Sequence, residues 1–418
     1  MQEWIGLIDC NNFFVSCERL FRPDLKDKPV VVLSSNDGCV VARSQEIKDK
    51  GIPMGMPYFQ VKDIIKDIQA TTFSSNFALY RDVSHRVFEV VRREFEDMIQ
   101  YSVDEAFFTI QGNEEALQKR IVELKLKVEK EVGIPVSIGV ALSKTLAKYA
   151  STVAKKTSGT YILTPDEWNK KTTTVHLRDL WGVGFRSAET YKSHGLHFVS
   201  DVLQLERRTV SELFGVVGVR LWQELQGVPS IALSKGLDTQ HSILHSRSFK
   251  ATTNDILAIK DAVAYHVREA SEDLRQQGLK ARVLQVSLGT SRHGDYFLQG
   301  GAREAYFALP TNDIFELLRI AAALVDALYK AGVPYKKAGV LLYDFVPVNI
   351  EQLTMFATPE EEKTRFLTPM IDALNTKLGK GSKVLVGTYL KAKDWQTSQA
   401  LKSPAYTTSW KDIKEVKT

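Results

Sequence analysis

The first 165 residues switch repeatedly between short apolar runs and stretches whose apolar residues recur every three or four positions. Short runs predict buried strands, and the longer spacing predicts helices packed by one face. Trp4-Ile-Gly-Leu-Ile8 reads as a strand leading into Asp9, and Phe13 to Leu20 as an apolar helix. Pro29-Val-Val-Val-Leu33 and Cys39-Val-Val-Ala42 predict two more strands, after which Ser44 is placed to cap a short helix that Gly51 ends. Val83, Val87, Val90, Val91 and Phe95 mark a long amphipathic helix. In Tyr101-Ser-Val-Asp-Glu-Ala-Phe-Phe-Thr-Ile110, Val103 and Ala106-Phe107-Phe108 predict the arms of a buried hairpin. A Lys/Glu-rich helix from Glu114 to Glu131 and a strand from Val136 to Val140 complete a β-α-β-β-α-β order with other elements inserted.

Between His176 and Gly236 the pattern is purely helical. Two similar turns, Leu180-Trp-Gly-Val-Gly184 and Phe214-Gly-Val-Val-Gly218, set Gly182, Gly184, Gly215 and Gly218 near helix starts. Free N–H groups there bind a phosphate without reading a base. From about Ser246 to Val346 the β-α-β-β-α-β order returns, with helices expected over Asp255–Gln276 and Ile314–Ala331. Lacking an acid pair, this α+β unit reads as a binding module. In the tail, Gln352-Leu-Thr-Met-Phe356 puts a polar residue before three apolar anchors, and Pro369 should end or restart a helix. The expected divisions are 1–165, 166–240, 241–348 and 349–418.

Composition narrows the class. The chain has 418 residues, 44% of them hydrophobic and 25% charged, as in an ordinary multidomain protein with ample core. Its apolar runs, such as Val30 to Leu33, are far too short for a bilayer. Glu3 and Asp9 stand where a signal peptide would carry Lys or Arg, so a cytoplasmic location is expected. Cys10, Cys17 and Cys39 lack paired spacing and predict reduced thiols, while His241 and His245 lack the further ligands of a zinc site. From Lys363 to Thr418 eleven Lys/Arg face four Asp/Glu; taking that +7 from the total of +5 leaves the rest near −2. Any grip on a polyanion in the body must therefore be local. Lys144, Lys148, Lys155 and Lys156 form one patch with no acid among them.

Chemistry concentrates at three acids. Asp104 and Glu105 sit at or near the hairpin turn, and Asp9 ends another strand. Adjacent carboxylates against a core are costly without a cation. Three hard oxygen ligands on neighbouring strands suit a pair of Mg²⁺ ions, which can activate a hydroxyl and stabilise a leaving phosphate oxygen.

These residues together resemble the Y family of translesion DNA polymerases over nearly the whole chain, and most closely its bacterial polymerase V (UmuC-type) branch. The resemblance rests on Asp9-Cys-Asn-Asn-Phe-Phe-Val-Ser-Cys-Glu18, Ala42-Arg-Ser-Gln-Glu-Ile-Lys48, Met54-Gly-Met-Pro57, Ser102-Val-Asp-Glu-Ala-Phe107, Ser143-Lys-Thr-Leu-Ala-Lys148 and the stretch from Leu401 to Trp410. It implies an α+β right hand: a ferredoxin-like palm with small fingers, a helical thumb with helix-hairpin-helix turns, a β-α-β-β-α-β little finger and a basic tail. The implied activity is error-prone, template-directed DNA synthesis for translesion repair in the SOS response.

By the same resemblance, Asp9, Asp104, Glu105 and the Cys10 carbonyl would hold two Mg²⁺, and Lys48, Tyr80, Arg81 and Lys155 would meet the nucleotide. A bulky ring, Phe13 or Phe14, would exclude ribonucleotides; alternation does not choose between them, and the family pattern selects Phe14. Lys144, Lys148, the four turn glycines, Arg247, Lys250, Arg282 and Arg292 would contact DNA. Gln352, Leu353, Met355 and Phe356 would engage a sliding clamp, and the tail a UmuD′-type dimer and a RecA-type filament. Primer–template DNA and dNTPs are the implied substrates. A polymerase IV-type enzyme, a non-catalytic recruitment relative and a nucleotide cyclase are the alternatives. The basic tail argues against the first, the acids against the second, and the thumb and second α+β unit against the third.

Overall fold

A computed structural model describes residues 2–232, 240–291, 299–349, 359–378, 384–387, 395 and 399–413. The chain forms two compact units, one of Met1–Asp238 with Ala400–Thr418 and the other of Thr239–Gln399. The tail is thus divided between them rather than standing as a fourth part.

In the first unit the strands are β1 (Glu3–Cys10), β2 (Val30–Leu33), β3 (Val40–Arg43), β4 (Thr71–Ser74), β5 (Ile99–Gln100), β6 (Glu105–Gln111), β7 (Val136–Ala141) and β8 (Thr160–Ile162). The main sheet runs β5-β6-β1-β7-β8, and β3-β2-β4 form a small separate sheet. Period-two alternation divides the central strands cleanly. Trp4, Ile8, Ala106, Phe108, Ile138 and Val140 enter the larger core, shared with the helices Phe77–Glu94 and Glu114–Val132. Ile5, Leu7, Phe107 and Ala141 enter the core on the opposite face, beneath the helix Lys144–Ala154. Asn76, Asn113 and Ser143 each cap one of these helices by accepting a backbone N–H.

The hairpin differs from its sequence prediction. Val103 lies outside any strand and is 37% exposed. The arm that pairs with β6 is the two-residue β5, and the turn closes when Tyr101 and Ser102 both donate backbone N–H groups to the Glu105 carbonyl. One apolar side chain between polar neighbours was too little to hold an arm in the core.

Glu224, fully buried on the last turns of the helix Arg207–Leu225, ties that helix to the helix Lys144–Ala154. Its carboxylate accepts N–H groups from Thr145, Ser230 and Ile231 at 2.9, 2.8 and 3.2 Å.

The second unit has β9 (Ser242–Thr253), β10 (Leu279–Thr290), β11 (Gly301–Thr311) and β12 (Tyr335–Pro347) in the order β11-β10-β12-β9. The helices Ile256–Gln276 and Ile314–Leu328 supply the predicted β-α-β-β-α-β order, and both pack against this sheet's core. The helix Pro359–Leu378 passes through Pro369 instead of breaking there. Pro369 is exposed, so its ring faces solvent, and the helix bears the cost of about 3 kcal/mol that an interior proline carries. Among the described residues no helix is long and apolar enough to cross a membrane.

Candidate active site

Register brings the acids together. β1 and β6 run antiparallel with Asp9 directly opposite Glu105, so both side chains share the face that carries Leu7 and Phe107. The Cys10 N–H donates to the Asp104 carbonyl at 2.9 Å, which fixes the third acid at the same strand ends. Ser102 Oγ donates to Asp104 Oδ1 at 2.6 Å and accepts the Asp104 N–H at 3.2 Å. Asp9 is only 3% exposed.

The cations facing these acids come from the helix packed on the same face. Gly139 on β7 makes that packing possible: a Cβ there would sit 2.0 Å from the Ser151 nitrogen and 2.6 Å from the Ala147 carbonyl oxygen. Lys148 lies on this helix and Lys155 follows its end, seven residues and about two turns apart, so they point the same way. Lys155 Nζ is 2.7 Å from Asp9 Oδ1, and Lys148 Nζ is 3.4 Å from Asp9 Oδ2 and in contact with Glu105. Burial pushes the Glu105 carboxyl above its usual range, against the pull of Lys148. Burial would lower Lys148, but its bonds to Glu105 and Asp9 raise it overall. The Cys10 thiol is pushed well up by burial and then by the Asp9 and Asp104 charges, so it stays protonated.

A hard divalent cation fits this donor set, because the oxygens are carboxylates and the buried Asp9 already requires positive charge. Among the described residues no three His, Cys, Asp or Glu side chains converge as metal ligands; ammonium groups stand among the carboxylates instead.

The remaining sequence candidates scatter. Phe13 is buried in the core, whereas Phe14 is half-buried, stacked on Tyr80 at 4.4 Å and 14°. Tyr80 is fully buried and its hydroxyl donates to Glu18 at 2.7 Å, which removes it as a nucleotide contact. Arg81 is exposed, with Nε on the Phe77 carbonyl. Lys48 donates to the Asn12 side chain; burial first, then Arg43 and Lys155, hold its ammonium below the ordinary value.

Lys144 is 7% exposed, bonded to the Ala232 carbonyl and lying over Phe107, so it is not open to DNA. Lys148 likewise belongs to the acid site. Gly182, at φ 86°, and Gly184 form an open turn before the helix Phe185–Ser193. Gly215, at φ 64°, breaks the helix Arg207–Leu225, and Gly218 is buried against Phe214. Arg247 lies 5.8 Å over the Tyr265 ring, on the helix-covered face of its sheet, which takes it off the exposed face expected to meet DNA. Lys250 and Arg282 are exposed. Arg292, Gln352, Leu353, Met355 and Phe356 lie outside the described residues.

Sequence reasoning missed Arg43, Asn12 and Glu18. Asn12 adopts a left-handed conformation, φ 47°, between β1 and the helix Phe13–Phe21, and so receives Lys48. Asparagine at a strand-to-helix turn was the available signal.

The impB/mucB/samB family model matches residues 8–152, and that family's C-terminal domain matches 240–355. A domain of unknown function matches 366–416. The protein is 34% identical to Protein ImpB of Salmonella typhimurium over 98% of each chain. It is also 34% identical to Protein UmuC of Salmonella typhimurium strain LT2, over 99% of this chain and 100% of that one. DNA polymerase IV of Corynebacterium diphtheriae is 28% identical over 81% of this chain and 75% of its own. A solved Y-family DNA polymerase chimera of Dbh and Dpo4 superposes with TM-score 0.68 over 82% of this chain and 99% of its own, at 18% identity. The chain therefore belongs to the impB/mucB/samB family, as a UmuC-type Y-family polymerase.

Proposed function

We propose that the protein copies damaged DNA templates by transferring deoxynucleotides onto a primer 3′-hydroxyl at Asp9, Asp104 and Glu105. The observation that carries this reading is the Asp9–Glu105 register, with Asp104 held beside it by the Cys10 N–H. Asp9, Asp104, Glu105 and the Cys10 carbonyl would hold two Mg²⁺, which when bound supply acidity at the 3′-hydroxyl and neutralise the pyrophosphate leaving group.

The chain's own groups do the rest. Lys48 and Lys155, with Arg43 beside them, draw in the triphosphate. Phe14 presents a half-buried ring against the sugar C2′ edge and excludes a 2′-hydroxyl by bulk. The open Gly182–Gly184 turn, Lys250 and Arg282 hold phosphates without reading bases. Gln352 to Phe356 dock a sliding clamp, and the tail serves a UmuD′-type dimer and a RecA-type filament during an SOS response. Full-length likeness to UmuC and ImpB favours this branch over polymerase IV.

The test is primer extension across an abasic site with Asp104→Asn and Glu105→Gln variants. Both should fold normally and lose nucleotide transfer; near-normal extension in Mg²⁺ by either would remove the assignment.

A further inference from the structure

Residues 400–413, within the stretch matching a domain of unknown function, lie on the catalytic unit. Ser74 donates its N–H to the Leu401 carbonyl, and Leu401 returns its own to Ser74 Oγ, both at 3.0 Å. Asn76 Nδ2 donates to Ser403 Oγ at 3.0 Å, and Tyr406 stacks on Phe21 at 4.7 Å and 8°. Ser403 and Tyr406 are buried by this docking.

The contact reaches an acid that has no part in the metal chemistry. Glu18 is fully buried, and its Oε1 accepts two hydroxyls, Tyr80 at 2.7 Å and Ser403 at 3.1 Å. Its Oε2 has no partner among the described residues. A buried carboxyl left short of donors is costly, so Ser403 helps fix both Glu18 and the Tyr80 hydroxyl. The Tyr80 ring is the surface on which Phe14 stacks, and Phe77 closes edge-on against both rings at 5.8 and 6.0 Å. The chain Asn76–Ser403–Glu18–Tyr80 thus ends at the ring that backs Phe14, read above as the sugar gate.

We infer that residues 400–406 are a strap that positions Phe14, so that the C-terminal segment sets discrimination against ribonucleotides. This rests on the reading of Phe14 as the gate. Ser403 and Tyr80 act here as positioning residues, since neither needs to touch the nucleotide. A stacked ring loses its angle when its partner tilts, and an aromatic wall excludes a 2′-hydroxyl only when held in place. The Asn76 side chain is well suited to hold the strap, because its oxygen caps the helix carrying Tyr80 while its nitrogen grips Ser403.

The experiment compares kcat/KM for a dNTP and the matching rNTP on primer–template DNA in Mg²⁺. It uses the full chain and its Phe14→Ala, Ser403→Ala and Ser403→Thr variants, together with a protein lacking residues 400–418. Ser403→Ala and the deletion should each lower discrimination roughly 3- to 10-fold, the range one buried hydrogen bond is worth. The loss should appear as faster rNTP use with dNTP use nearly unchanged, and Ser403→Thr, which keeps the hydroxyl, should restore most of it. If Phe14→Ala loses discrimination while Ser403→Ala and the deletion keep it, the strap inference is wrong and the gate stands. Equal slowing of both substrates would make the strap a purely structural brace and also overturn the inference. If Phe14→Ala itself leaves discrimination intact, the gate reading falls and takes this one with it. Should the deleted protein not fold, the paired Ser403 variants decide alone.

Discussion

Gly139→Ala tests how closely catalysis depends on one helix lying flat on one strand. The added Cβ would fall 2.0 Å from the Ser151 nitrogen, 2.5 Å from the Ala150 carbonyl carbon and 2.6 Å from the Ala147 oxygen, whereas ordinary contact begins near 3.4 Å. All three are backbone atoms, so no side-chain rotation relieves the clash. The helix Lys144–Ala154 must lift by roughly 1 Å, the scale at which misplaced catalytic groups cost about a hundredfold in rate. Overpacking of this kind costs about 1–3 kcal/mol, which for a unit of this size lowers Tm by roughly 2–12 °C. Lys148 and Lys155 ride on the displaced segment, so their ion pairs to Asp9 should loosen. Thermal melts and single-nucleotide insertion rates should therefore fall together. Gly38→Ala is the matched control, because its nearest atom would be 3.7 Å away and its backbone, at φ −82°, accepts any side chain. A Gly139→Ala protein with wild-type Tm and wild-type kcat/KM would refute the reasoning.

Two further outcomes follow from buried ionisable groups. Glu224→Ala orphans the buried Thr145 N–H and the half-buried Ser230 and Ile231 N–H groups and should cost roughly 3–5 kcal/mol in urea unfolding followed by tryptophan fluorescence. Glu224→Gln should fall between, because one amide N–H must then face a backbone donor; an alanine variant within 1 kcal/mol of wild type would contradict this. In the second unit, burial first, then Arg247, His245 and Arg268, hold the His266 imidazole down at about 3. The unfolded chain, with a histidine pKa near 6.5, takes up a proton more readily, so this contribution is complete above pH 6.5 and falls as pH drops toward 3. Neither ring nitrogen has a partner among the described residues. His266→Leu should therefore flatten the stability slope between pH 6.5 and 5 by up to about 1.4 kcal/mol per unit; an unchanged slope would count against it.

Much of this architecture was legible because burial alternates with a fixed period. The odd positions Ile5, Leu7 and Asp9 and the even positions Trp4 and Ile8 separate to opposite faces, as strand geometry requires. Asp9, Asp104 and Glu105 stood out because acids at the ends of apolar strands need a reason to be there. The lysines were harder. Lys144, Lys148, Lys155 and Lys156 form an acid-free basic run that reads as a polyanion patch, yet the first three fall at helical spacing with Ala147 and Ser151, on the face that packs on the sheet. That spacing was the overlooked signal. Arg247 likewise sits two residues from Phe249 and four from Ile243, both buried, so period two already placed it on the covered face. The return of residues 400–413 to the first unit left no periodic trace, since their packing uses single side chains fitted into polar sockets.

The strap also has a consequence in time. Ser403 closes on Glu18 across 385 positions of chain. At about 5–20 residues per second, a ribosome takes roughly 20–80 s to get from one to the other. Through that interval the first unit exists with its Glu18 pocket uncovered, and only late in translation does the missing hydroxyl arrive. A polymerase that is released early or clipped near its end would be born with its acids in register and its selecting ring unbraced. On the strap reading, the order of synthesis places substrate selectivity among the last properties to be acquired.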